Sequence, residues 1–133
     1  MKNGMSTEMQ EPVIKEKVER KTKPEVNPEA QVIVHCTVYG MPFLAQVRVW
    51  PSTFLVCQST GHSSKLQHAE GIVFVPQWQP ILESGKSTFT LIFSGLPKNC
   101  THFNFAEVIP EAGGWLVKNI KRNAQDVYRI VLE

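Results

Sequence analysis

Apolar and polar residues alternate with a period of two through most of the chain after residue 30. Phe89, Leu91 and Phe93 alternate with Thr88, Thr90, Ile92 and Ser94, and Phe103 and Phe105 with His102, Asn104 and Ala106. Val32, Val34, Cys36 and Val38 alternate in the same way with Ile33, His35, Thr37 and Tyr39. Successive side chains of a strand leave opposite faces of the sheet, so this pattern marks strands with one face in a core. It predicts strands over 30–39, 53–58, 63–69, 115–120 and 127–132, with two more carrying the Phe89–Phe93 and Phe103–Phe105 stripes. A further strand is expected over 43–49, with Phe43, Ala45, Val47 and Val49 on one face and Leu44, Gln46 and Arg48 on the other, and a short one over 72–75. Phe89, Leu91, Phe93, Phe103 and Phe105 are expected at the centre of the core.

Turn signals punctuate these runs at intervals of roughly 8–12 residues, the spacing of an all-β sandwich. They are Gly40 to Pro42, Pro51, Gly61, Pro76, Gly85, Pro97, the pair Gly113 and Gly114, and the polar stretch from Lys121 to Asp126. No stretch of ten residues keeps a helical period. The expected architecture is an immunoglobulin-like antiparallel β-sandwich of about eight or nine strands, with a small closed barrel as the alternative. Residues 1–11 are polar and unpatterned and are expected to form a disordered tail. Residues 12–133 are expected to form a single domain, in which 12–29 supplies a polar edge strand, with Val18 pointing inward and lysines guarding the edge, or in the alternative a short charged helix, followed by a loop.

Composition narrows the function classes. A chain of 133 residues with a net charge of +2, 42% hydrophobic and 20% charged residues is ordinary for one globular domain. So small a charge argues against nucleic acid as a partner. The positive charges of Lys118, Lys121, Arg122 and Arg129 read as a solvated turn. No apolar run approaches the ~18 residues of a spanning helix, and no secretory leader is evident, so a cytoplasmic protein without membrane insertion is expected. Three cysteines, Cys36, Cys57 and Cys100, are then expected as free thiols.

Candidate chemistry is sparse. Cys36, Trp50 and Cys100 have spacings reminiscent of an antibody domain, but Lys98 stands where that fold places its corner tyrosine, so a Cys36–Cys100 bridge is not expected. His35, Cys36, Cys57, Cys100 and His102 lack the paired spacing of a zinc site, and no cofactor or metal is expected. His35, His62 and His68 show no partner that would make one of them a general base, and no nucleophile motif or phosphate loop is present. No catalytic residue is therefore assigned. The aromatic residues are more informative. Trp78 lies between Pro76 and Pro80, flanked by Gln77 and Gln79, where burial is hard to arrange. Arg48 and Trp50 share a strand face, suited to a cation–aromatic contact.

The run from Arg48 to Leu55, the stretch Leu66 to Ile72, Phe89 to Phe93 followed by Gly95, Leu96 and Pro97, then Phe103, Glu107 and Gly113 to Trp115 together resemble a bacterial immunoglobulin-like domain family of poorly characterised function. The resemblance spans about residues 30–133. It implies a sandwich and no established activity. The expected function is that of a non-catalytic interaction module, binding a protein partner through an edge strand or an aromatic loop patch formed by Arg48, Trp50, Trp78 and Trp115. The alternative is a small-ligand or carbohydrate-binding sandwich, with a small enzyme behind both.

Overall fold

A computed structural model describes residues 30–133; the tail expected over 1–11 and the edge strand expected over 12–29 lie outside the described residues. The described chain is all-β. Its strands are β1 (Gln31–Tyr39), β2 (Gln46–Val47), β3 (Thr53–Cys57), β4 (Ser63–Glu70), β5 (Gln79–Pro80), β6 (Lys86–Ser94), β7 (His102–Glu107), β8 (Leu116–Lys121) and β9 (Val127–Leu132). Seven of them form one mixed sheet in the order β9-β1-β6-β4-β3-β7-β8, and β2 pairs with β5 in a small second sheet. Among these strands the β9–β1 pairing is parallel and the other pairings are antiparallel.

The sheet bends at β4. The first residues of β4 pair with β3, in the register Val56↔Ser63 to Phe54↔Lys65. From Leu66 the strand pairs instead with β6, starting at Leu66↔Phe93, passing an irregularity between Leu66 and His68, and ending at Glu70↔Thr90. An extra residue in one strand disrupts the ladder and sharpens its twist, which is how a strand turns a corner between two half-sheets. The result is a near-barrel rather than two separately bonded sheets. Its far ends, β8 and β9, are consecutive in the chain, and the ring of Tyr128 on β9 meets Phe103 on β7 edge-to-face at 5.0 Å.

The period-two stripes fill the interior. Phe89, Leu91, Phe93, Phe103 and Phe105 are all buried, as the pattern predicted. Phe93 and Phe105 meet edge-to-face across the two halves, with ring centroids 6.0 Å apart. Two buried hydroxyls are matched: Ser64 Oγ donates to Gly95 O at 2.8 Å, and Thr53 Oγ1 to Trp50 O at 2.7 Å.

Three sequence expectations need correction. The strand expected over 43–49 begins as a turn: Ala45 N–H bonds back to Met41 O, and within the stretch only Gln46 and Val47 form a strand. Phe43, expected in the core, is 65% exposed and has a φ of 63°. The proline at 42 and the tight turn after Gly40 shorten the strand, and the period-two frame resumes only at Val47 and Val49. Second, the cysteines are not three free thiols. Cys57 at the end of β3 is disulfide-bonded to Cys100, with Cα atoms 5.9 Å apart, and Cys36 alone is free. Third, Arg122 is not a solvated charge. Its guanidinium grips Asp126 through Nε and Nη2 and donates through Nη1 to the carbonyls of Pro97 and Cys100.

Candidate functional site

The small β2–β5 sheet places the aromatic residues. Val47 pairs with Gln79, and the parallel bridge of Val49 to Phe74 ties the chain after β2 to the segment before β5. Because Val47 and Val49 are buried, Arg48 between them points away from the core. Residue 78 precedes the paired Gln79, so Trp78 arrives beside Arg48. The Arg48 guanidinium lies over the Trp78 ring at 3.8 Å and 5.7 Å from the Trp50 ring, and its Nη1 donates to Pro76 O at 3.3 Å. Stacking of a weakly hydrated guanidinium on an indole is favourable and fixes both side chains.

Trp50 and Trp115 are brought to the same place by a residue that the sequence reading did not single out as functional. Glu107, the last residue of β7, accepts the Trp50 N–H on Oε2 at 3.1 Å and the Trp115 N–H on Oε1 at 3.3 Å. One carboxylate thus pins two backbone segments 65 residues apart in sequence (115 − 50). Gly114 permits this approach, since a Cβ there would collide with the carbonyl oxygen of Glu107. The ring of Trp115 continues inward to stack on Phe89, with centroids 6.1 Å apart. Burial pushes the Glu107 carboxyl above its ordinary value, while the two N–H bonds and the charge of Arg48 oppose that rise. The signal available in sequence was position: a lone acidic residue ending an apolar-striped strand, six residues before a Gly-Gly-Trp turn.

Arg48, Trp50, Trp78 and Trp115 therefore line one cleft of about 180 Å³, together with Glu107, Ile109 and Glu111. Trp78 is 52% exposed, whereas Trp50 and Trp115 are partly buried. The groups that reach the cleft are indole faces, a guanidinium and two carboxylates, one of which is fully engaged with backbone N–H groups. They suit stacking and polar contact.

A larger hollow of about 410 Å³ lies on the outer face of β9, β1, β6 and β4. Register explains it. Arg129, His35, Thr90 and Glu70 form one row across four strands, with short Thr37 and Thr88 in the next row leaving a trough beside the longer side chains. His35 Nδ1 and Thr90 Oγ1 are 2.8 Å apart, and His68 pairs with Glu70 at 3.1 Å. Among the described residues no three His, Cys, Asp or Glu side chains gather as metal ligands. Nor is any helix among them long and apolar enough to cross a membrane.

Comparison with protein-family models, curated proteins and solved structures found no match. The functional reading consequently rests on the cleft itself.

Proposed function

We propose that the protein is a non-catalytic binding module that contacts a protein partner through the cleft of Arg48, Trp50, Trp78 and Trp115. The observation that carries this reading is the Arg48–Trp78 stack. It backs one face of a half-exposed indole with a cation held against the Pro76 carbonyl, so the indole is ordered before any partner arrives. Pre-ordered aromatic and arginine side chains lose little entropy on binding, and Trp and Arg dominate interface hot spots.

The cleft supports this reading better than a sheet edge does. On β8 the ladder is irregular where Asn119 adopts a φ of 61°, and Lys118 and Lys121 are exposed there, two devices that discourage strand addition. The immunoglobulin-like affiliation belongs to the same reading. Its support is the order of short motifs from Arg48 to Trp115 and the division of the sheet into two halves joined by β4. The Cys57–Cys100 bridge further favours residence in an oxidising compartment over the cytoplasm expected from the sequence, since such bridges are rare where thiols are kept reduced.

The test is affinity capture from native lysate followed by titration of the captured partner, comparing wild type with Trp78→Ala and Arg48→Ala. Each substitution is expected to weaken partner binding by at least about tenfold, as hot-spot truncation does. Identical partner lists and affinities for all three proteins would refute the reading. Tryptophan fluorescence that shifts on titration with neutral oligosaccharides, and not with the partner, would favour the alternative of a sugar ring stacked on Trp78.

A further inference from the structure

We infer that the protein self-associates as a two-fold symmetric dimer through an apolar knuckle formed by Tyr39, Met41, Phe43, Leu44 and Leu82. The knuckle lies on the last residue of β1 and on the loops joining β1 to β2 and β5 to β6, and the inference is independent of the aromatic cleft. Its five large side chains are each between 57% and 77% exposed. Single exposed apolar residues are unremarkable, but five of them on two segments bonded to each other mark an interaction site.

The knuckle is rigid. Phe43 N–H donates to Ile81 O at 2.6 Å, Ile81 N–H to Ala45 O at 2.9 Å, and Gly40 N–H to Gly85 O at 3.1 Å. Ile81, between the two loops, is buried, and Gly40 sits so close to Ala45 and Ile81 that a side chain there would clash with both. Phe43 is held at a φ of 63°, a region unfavourable for a bulky side chain. A backbone conformation that suits glycine is here spent on presenting an aromatic ring to solvent. Strain of this kind points to use rather than to packing.

Two features favour a second copy over other occupants. The first is area. Taking about 200 Å² for a large side chain, the knuckle offers roughly 600 Å² per protomer, and a symmetric pair would bury about 1,200 Å², the lower end for a specific interface. The second is charge. Glu83 and Lys86 are exposed beside the knuckle on the turn that enters β6. In a two-fold interface residue i meets j while j meets i, so Glu83 of one protomer can face Lys86 of the other twice over. A bilayer is a poorer occupant, because peripheral insertion combines apolar anchors with a basic patch, and here one lysine is offset by one glutamate.

Sedimentation velocity on the 133-residue chain, from about 1 to 500 µM, tests the inference. A concentration-dependent species of twice the monomer mass is expected, with a dissociation constant in the micromolar range that rises at least tenfold in Leu44→Asp. Glu83→Lys and Lys86→Glu are each expected to weaken the dimer, and the double exchange to restore it, a rescue that general surface stickiness would not show. Phe43→Gly removes the ring at a backbone angle glycine adopts freely, so it should weaken the dimer without lowering the melting temperature of the dilute protein. A monomer at all concentrations, a dimer indifferent to Leu44→Asp, or failure of the double exchange to restore it would overturn the inference. So would co-sedimentation with phosphatidylcholine or phosphatidylserine vesicles that requires Leu44 in a protein that stays monomeric.

Discussion

Glu107 shows how one side chain can bring two distant backbone segments to one cleft. Its two oxygens satisfy the backbone N–H groups of Trp50 and Trp115, which would otherwise face a partly dry cleft. Desolvation nevertheless leaves its carboxyl with a raised pKa. The folded chain therefore holds this proton more tightly than the unfolded chain does. Between the ordinary carboxylate pKa and the raised folded value, unfolding releases protons, and stability falls as pH rises through that window. Measured as the difference between wild type and Glu107→Gln, stability should be greatest at the acid end, decline through the window, and level off above it. Urea melts from pH 4 to 7 check this, and a difference that grows with pH would contradict the burial argument. Glu107→Gln also offers one carbonyl oxygen where the carboxylate offered two, so one tryptophan segment should loosen and its fluorescence should shift.

At the scale of elements, strands were legible where a period-two stripe ran between turn signals without local backbone bonds competing with the ladder. Val32 to Val38, Phe89 to Phe93 and Phe103 to Phe105 all face inward because a one-residue slip would have exposed the whole stripe. The stretch from Phe43 to Val49 shows the same alternation, yet its first half is a turn, because local bonds from Ala45 and Leu44 back to Met41 compete with the ladder. Periodicity cannot distinguish those outcomes. The aromatic cluster was legible as residue types and not as a place: Arg48 and Trp50 share a face by spacing, but the approach of Trp78 depends on the β2–β5 pairing and that of Trp115 on Glu107. The turn between β8 and β9 was least legible. Arg122 there joins Asp126, Pro97 and Cys100, while Tyr128 Oη donates to Asp126 Oδ1 at 2.9 Å and accepts Asn123 N–H at 3.0 Å. The Arg122 and Asp126 side chains are only 18% and 19% exposed. Arg122→Ala would strand a carboxylate and two carbonyls, and a loss of about 2–4 kcal/mol is expected in chemical denaturation. Arg122→Lys should recover little, since a point charge cannot reproduce the fork on Asp126. Near-wild-type stability in either variant would remove this turn from the account of how the barrel closes.

For the whole molecule the question is what holds a bent sheet closed when its end strands do not pair along their length. Rings crossing the interior, Phe93 on Phe105 and Tyr128 on Phe103, supply part of the answer. The Cys57–Cys100 bridge supplies another part, because it ties the end of β3 to the loop after β6 across 43 residues of chain. Partners so far apart in sequence, with a third cysteine available, could not be paired by counting, and the expectation of a reducing compartment pointed away from any bridge. Closing a loop of this length removes conformational freedom mainly from the unfolded chain and is worth about 2–4 kcal/mol. Cys36 provides the internal control. It is buried on β1, and burial pushes its thiol up to about 12, so it stays protonated and unreactive in the folded protein. A thiol reagent should therefore titrate no cysteine in the native protein, one in denaturant without reductant, and three after reduction in denaturant. Cys57→Ser with Cys100→Ser should unfold at lower denaturant by the stated free energy while keeping the same strand content. Three reactive thiols in unreduced denaturant would show that the bridge is absent, and closure would then rest on Arg122 and the interior rings alone.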